Sequence, residues 1–142
     1  MLQGNASGPS IWLTLSSVIF DVLHKRGFTS EIVSAISKQL FALVGFTYVD
    51  DCGLIQVGGE PITVLASMQQ LINSWGSLME VTGGAINTGK SWWYLIDFVW
   101  KRDKWVAEDL EVGLDLITTD RNGNRVSLNK LRSDEASEMF GV

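Results

Sequence analysis

The residues best suited to chemistry stand together at Tyr48-Val49-Asp50-Asp51. Two adjacent carboxylates lie between apolar, strand-like runs, Leu40 to Tyr48, broken only by Gly45, and Leu54 to Val57. The spacing predicts a β-hairpin with the Asp50-Asp51 step as its connection, where the charges stay solvated while the strands are buried. Carboxylate oxygens are the ligands that hard divalent cations take, so the pair reads as a polar turn or as a seat for such cations. Gln3-Gly4-Asn5, in a glycine-rich lead-in, adds amide donors and a backbone that permits close approach by a ligand. Gly84-Ala85-Ile86-Asn87-Thr88-Gly89-Lys90 is a loop carrying one amide and one cation.

Helices and strands must position these segments. Ser7 or Gly8 precedes a helix with Pro9 in its first turn, where a missing N–H is harmless. Ile11, Leu15, Val18, Ile19, Val22 and Leu23 form its expected apolar face, His24-Lys25-Arg26 its last turn, and Gly27 its stop. Residues 28–37 read as a loop. A second helix is expected from about Pro61 to Val81, with Ile62, Leu65, Met68, Leu71, Ile72, Trp75, Leu78 and Met79 facing inward and Gly83-Gly84 closing it. Ser91 to Trp100 reads as one strand. Trp92, Tyr94, Ile96, Phe98 and Trp100 alternate onto one side of it, as buried core or as a base-stacking platform. Lys101-Arg102-Asp103-Lys104 is a charged turn, with Trp105 starting the next extended segment. Val112 to Ile117 and Arg125 to Leu128 are expected to pair around Asp120-Arg121-Asn122-Gly123-Asn124. Ser133-Asp134-Glu135 is suited to cap a short final helix. Hairpins plus two long helices imply an α+β fold, with helices covering one face of an antiparallel sheet.

The 142 residues suit one domain with a sizeable core, and 46% apolar content with six Trp argues for a packed fold rather than disorder. The net charge of −5 supplies no overall basic footprint and so weighs against nucleic-acid binding. One Cys excludes a disulfide framework and a thiolate zinc site within the chain, and fits a reducing compartment. The first residues show neither a charged nor an apolar leader region, so no signal peptide is expected. No apolar run is long enough for a membrane span. An intracellular location, cytoplasm or nucleus, and no membrane partner are therefore expected.

Three segments, in order, carry a resemblance. Gln3-Gly4…Ser7-Gly8-Pro9 resembles the Gln-Gly…Ser-Pro lead into a palm helix of retroelement reverse transcriptases, with Gly8 interposed. Tyr48-Val49-Asp50-Asp51 resembles their Tyr-x-Asp-Asp hairpin, the most specific of their signatures. Gly84…Asn87…Lys90 resembles the Gly-x-x-Asn-x-x-Lys segment that follows the next helix. The resemblance covers residues 1–100 as a partial palm. Residues 101–142 read as a β-rich continuation towards the primer grip and thumb, with Phe140-Gly141 placed to open that grip.

What the resemblance implies is RNA-directed DNA polymerisation by two-metal nucleotidyl transfer, on an RNA or DNA template-primer with deoxynucleoside triphosphates. Asp50, with Asp51 beside it, would ligate Mg2+. Gln3 and Gly4 would lie near the template–nucleotide pair and Tyr48 at the primer terminus. Asn87 belongs to the substrate-binding segment, and Lys90 would sit near the triphosphate unless it is an ordinary solvated loop lysine. The family's palm also contributes an Asp from a strand upstream of the Gln-Gly segment. Neither Asp21, in the first expected helix, nor Glu31, in the loop after it, replaces that residue. The domain is therefore expected to be truncated at both ends and inactive alone. A non-catalytic α+β interaction module with an ordinary Asp-Asp turn is the alternative, and a two-metal nuclease fits less well because further carboxylates near Asp50-Asp51 are missing.

Overall fold

A computed structural model of the chain describes residues 8–48 and 51–135. Gln3, Gly4, Asp50 and Phe140-Gly141 lie outside the described residues. The chain divides into two compact units, one running to Gly59 and the other starting at Glu60.

The first unit opens with helix α1 (Gly8–Lys25). Its end is set by Gly27, whose φ of +87° lies in the left-handed region that glycine enters at no steric cost. The Gly27 N–H donates to the His24 carbonyl at 2.9 Å and the Phe28 N–H to the Leu23 carbonyl at 3.1 Å, satisfying two terminal acceptors. The covered side of α1 carries Ser16, Ile19 and Leu23, with Trp12 and Leu15 half-buried. Ile11 and Val18, expected on that side, are 54% and 58% exposed. Apolar residues occupy most of this helix's circumference, so periodicity did not fix which side is covered.

Two hairpins follow. Strand β1 (Ser30–Val33) pairs antiparallel with β2 (Leu40–Leu43), Ser30 opposite Leu43 and Val33 opposite Leu40. The expected loop over 28–37 is thus partly strand. Ser34 makes the turn: its Oγ accepts the amide N–H groups of Ile36 and Ser37. Strand β3 (Gly45–Tyr48) pairs antiparallel with β4 (Asp51–Leu54). The run expected from Leu40 to Tyr48 breaks at Val44 rather than at Gly45, so its two halves join different hairpins. Buried Ser30 joins them. Its Oγ donates to the Ile55 carbonyl at 3.2 Å and accepts from the Val57 N–H at 3.1 Å, pairing backbone groups that β4 leaves unpaired beyond its end.

The second unit opens with α2 (Pro61–Val81), at the bounds the sequence predicts. Pro61 pre-sets the first turn. Gly83, at φ +77°, ends the helix with the hydrogen-bond pattern seen at Gly27: Gly83 N–H to the Glu80 carbonyl and Gly84 N–H to the Met79 carbonyl, both 2.9 Å. Leu65, Leu71, Ile72 and Trp75 are buried, while Ile62 is 65% exposed. Short strand β5 (Trp92–Trp93) pairs in parallel with β10 (Asn129–Lys130), which ends the described chain's ladders. The buried Trp93 indole N–H donates to the Leu128 carbonyl at 3.2 Å. Between them stand two hairpins, β6 (Ile96–Lys101) with β7 (Lys104–Asp109), and β8 (Ile117–Thr119) with β9 (Arg125–Ser127).

Both turns follow their sequences. Arg102 and Asp103 each have positive φ, the primed geometry that matches strand twist in a two-residue turn. In the other hairpin, Asp120 Oδ1 accepts the N–H groups of Asn122 and Asn124, both at 2.8 Å. Those bonds, Asn124's foremost, lower the Asp120 pKa. Helix α2 holds β8 through one side chain. Gln69 Nε2 donates to the Ile117 carbonyl at 2.6 Å and its Oε1 accepts the Ile117 N–H at 2.8 Å, as an adjoining strand would.

The fold is mixed α+β. Among the described residues the strands form five two-stranded ladders, four antiparallel and one parallel, rather than one continuous sheet. Two departures lie in the second unit: the strand expected over Ser91 to Trp100 is interrupted at Tyr94-Leu95, and Val112 to Leu116 is not strand. No helix among the described residues is long and apolar enough to cross a membrane.

Candidate functional site

The hairpin β3–β4 carries the acidic motif, and its two faces differ. Thr47 pairs with Cys52 and Gly45 with Leu54 on a half-buried side, while Phe46, Tyr48 and Asp51 lie on the exposed side. β3 also packs against α1. Tyr48 stands directly opposite Asp51, so the two described motif residues share a rung and a face. Asp51 is therefore the first residue of β4 rather than part of the connection.

Two glycines allow this hairpin its close approach. A methyl group at Gly45 would land on the Gly53 carbonyl oxygen, with Gly53 C and Leu54 Cα at 3.1 Å. A methyl at Gly53 would meet the Phe46 ring at 2.5 Å. The Phe46 ring thus lies across its glycine partner, covering backbone that has no side chain of its own. On the other side, burial pushes the Cys52 thiol from 9.0 up to about 12, so Cys52 is a neutral, inert packing residue beside the motif.

Asp51 is exposed. The nearby acids of this unit are otherwise placed. Asp21 sits in α1 and pairs with Lys25 at 2.6 Å. Glu31 is an exposed residue of β1. Among the described residues no group of three or more His, Cys, Asp or Glu side chains is placed to hold a metal ion. The donor chemistry at Asp51 suits magnesium in kind; the number of donors among the described residues does not complete a site.

Asn87 and Lys90 belong to the second unit. Thr88–Lys90 is a single 3-10 turn. The Asn87 carbonyl accepts the Lys90 N–H at 3.0 Å and the Ser91 hydroxyl at 2.8 Å, and both Asn87 and Lys90 are exposed. The turn follows the Gly83-Gly84 helix end directly, so α2 delivers these residues at a fixed distance along the chain. The structure therefore brings Tyr48 and Asp51 together on one rung, and Asn87 and Lys90 together in one turn.

The aromatic stripe, read from the sequence as buried core or as a base-stacking platform, is only partly covered. It divides at the Tyr94-Leu95 break. Its first members, Trp92 and Tyr94, are half-buried, whereas Phe98 and Trp100 are 63% and 57% exposed on β6, with Trp105 of β7 66% exposed. The turn residues Arg102-Asp103 were the available signal, because they detach the last third of the stripe into a hairpin of its own.

Searches for a matching family model, a curated relative and a solved structure find none.

Proposed function

We propose that the chain is part of a reverse transcriptase palm, whose Asp50-Asp51 hairpin takes Mg2+ when the rest of the ligand set is supplied. The observation that carries this reading is the order and placement of the motif elements. Helix α1 precedes the hairpin, Tyr48 and Asp51 close its last described rung, α2 follows, and Asn87…Lys90 comes immediately after α2's glycine stop. When bound, two divalent ions would stabilise the attacking and leaving oxygens of nucleotidyl transfer. The residues' own parts are positional: Tyr48 flanks the primer end beside Asp51, and Lys90 offers an exposed cation to phosphate. The substrates on this reading are a template-primer and deoxynucleoside triphosphates.

A second reading, a non-catalytic interaction module, draws on β1–β2. Val33 is 60% exposed, Ile36 95% and Leu40 58%, with Phe41 and Leu43 also open. Clustered apolar exposure of this kind marks a surface that packs on another protein body. On the palm reading that body is the remainder of the polymerase; on the second it is a separate partner. Manganese titration of the full chain, followed by paramagnetic broadening of amide resonances, separates the two. The palm reading expects weak, selective broadening at Tyr48, Asp51 and Cys52, lost in Asp50→Asn. Broadening unchanged by Asp50→Asn removes the metal site and leaves the interaction module. Primer extension by the chain alone with magnesium is expected to fail, and robust templated synthesis would show that the ligand set is already complete.

A further inference from the structure

Among the described strands, β2 alone has every residue exposed. Its sequence, Leu40-Phe41-Ala42-Leu43, is wholly apolar. It pairs with β1 alone, in a two-stranded sheet. Hydrogen-bonded and open rungs alternate along an antiparallel pair. The Ser34 N–H donates to the Gln39 carbonyl at 2.9 Å, one rung before Val33 opposite Leu40. Phe41 and Leu43 therefore bond to Ile32 and Ser30. The backbone N–H and carbonyl groups of Leu40 and Ala42 point the other way, along a free edge.

Charges on an edge strand discourage pairing with a strand from another chain. The other hairpins have them: Asp51 on β4, Asp97 and Lys101 on β6, Glu108 on β7. On β1, Glu31 stands beside Ser30, whose hydroxyl is taken up by Ile55 and Val57. Residues 39–44 contain no charge, proline or glycine.

We propose that β2 pairs antiparallel with β2 of a second copy, making a closed two-fold dimer. The proposal rests on the reading of β1–β2 as a surface that packs on another protein body, and names that body as the chain itself. The outward-pointing groups fix the register. Leu40 exchanges hydrogen bonds with Ala42 of the second copy, and Ala42 with its Leu40. The two Phe41 side chains face each other across the dyad, on a rung of the open kind that brings side chains closest. Aromatic pairs suit such a position. A two-stranded sheet is marginal by itself, and the dimer converts two of them into one of four strands. Ile32 and Phe41 of one copy then continue into Phe41 and Ile32 of the other.

The same register sets the second copy's Lys38 opposite Val44. There Asp21 and His24 of α1 share an open cleft of about 390 Å3 with residues 42–45. Lys38 makes no ion pair among the described residues, and Asp21 supplies a carboxylate on the cleft wall. The net charge of −5 does not oppose the contact, because the strands that meet are uncharged. Glu31 lies on the outer strand of each copy, three strand spacings or about 14 Å from its counterpart, beyond a Debye length of about 8 Å. Both β2 edges are consumed, so association stops at two copies.

The test is sedimentation velocity of the full chain over a range of concentrations. The expected mass doubles with concentration and rises no further. Growth past the dimer would overturn the proposal. A monomer at every concentration would remove the second copy as partner, without touching the manganese titration that separates the two functional readings. Ala42→Pro removes an N–H that β1 does not use, at an edge position where proline is tolerated, and should weaken dimerisation roughly ten-fold or more. Leu40→Lys should weaken it as well. Wild-type association in both variants would refute the edge pairing. Cysteines read the register in a Cys52→Ala background under oxidised glutathione. Phe41→Cys is expected to crosslink to itself, with Cα atoms about 4.5 Å apart. Leu40→Cys and Ala42→Cys stand about 8 Å from their own symmetry mates, so each should stay uncrosslinked alone and crosslink when the two are mixed. This readout stands even where Ala42→Pro unfolds the hairpin. Crosslinking of Ala42→Cys alone, without that of Phe41→Cys, would overturn the register.

Discussion

Gly45 sits where the motif hairpin has no room for a side chain, and Gly45→Ala should dismantle that hairpin. The methyl would meet the Gly53 carbonyl oxygen, Gly53 C and Leu54 Cα, all of them partner-strand backbone. None of these can rotate away, so the strands must part at the Gly45–Leu54 rung. The ladder has only four rungs, so opening its root releases about half of it. Two cross-strand hydrogen bonds at about 1 kcal/mol each, with overpacking strain of about 1–3 kcal/mol, give a loss of roughly 3–5 kcal/mol. That is a large part of the stability of an ordinary domain. Gly53→Ala supplies the contrast, because the atoms it meets, at 2.5 to 3.1 Å, all belong to the Phe46 ring. The ring can swing out, and the loss should be about 1 kcal/mol. Urea unfolding should place the Gly45→Ala midpoint about 2–3 M below wild type, taking a slope of about 1.6 kcal/mol/M. Hydrogen exchange at the Phe46 and Gly53 amides, which pair across the next rung, should accelerate in step. Equal stability of Gly45→Ala and wild type, or greater damage from Gly53→Ala, would refute the geometry.

Further perturbations follow from single residues. Ser30→Ala leaves the Ile55 carbonyl and Val57 N–H without the hydroxyl that joins them, and should cost about 1–3 kcal/mol in thermal or urea unfolding. Leu71, fully buried in α2, should lose about 2–5 kcal/mol on truncation to Ala, measured the same way. Cys52 gives a pH signature. Its folded pKa, about 12, lies above the ordinary 9.0, so the folded state holds the proton more tightly. Its contribution is complete below pH 9 and is lost as pH rises from there towards 12. Wild-type stability should therefore fall faster than that of Cys52→Ala over the accessible part of that range.

Legibility in the sequence followed how local each determinant is. The bounds of α2 were readable because Pro61 and Gly83-Gly84 act on their own turns, without regard to what packs on the helix. The acidic hairpin was readable for the same reason: strand residues flank a short polar step. Strand β1 was missed because Ser30–Val33 has no register signal except its partner Leu40–Leu43, and the intervening Ser34 turn lacks glycine or proline. The division of the Leu40 to Tyr48 run was equally hidden. Gly45 looked like the break, but it is a paired residue, and Val44 is the residue left out of both ladders. At the candidate site, Tyr48 opposite Asp51 follows from the hairpin alone. The exposure of Phe98, Trp100 and Trp105 does not, because alternation marks which residues share a face and says nothing of whether that face is covered.

The Gln69 amide pair with Ile117 bears on the order in which the second unit assembles. The hairpins β6–β7 and β8–β9 close over a few residues and form quickly. Joining Gln69 to Ile117 closes a span of 48 residues, and the parallel Trp92–Asn129 pairing is similarly remote in sequence. Loop closure lengthens only slowly in cost, but it comes before any reward from the pairing. Helix and hairpin each close locally, whereas the Gln69–Ile117 pairing needs both brought together. The glutamine, by giving Ile117 both of the bonds a third strand would offer, also occupies that edge against a strand from another molecule.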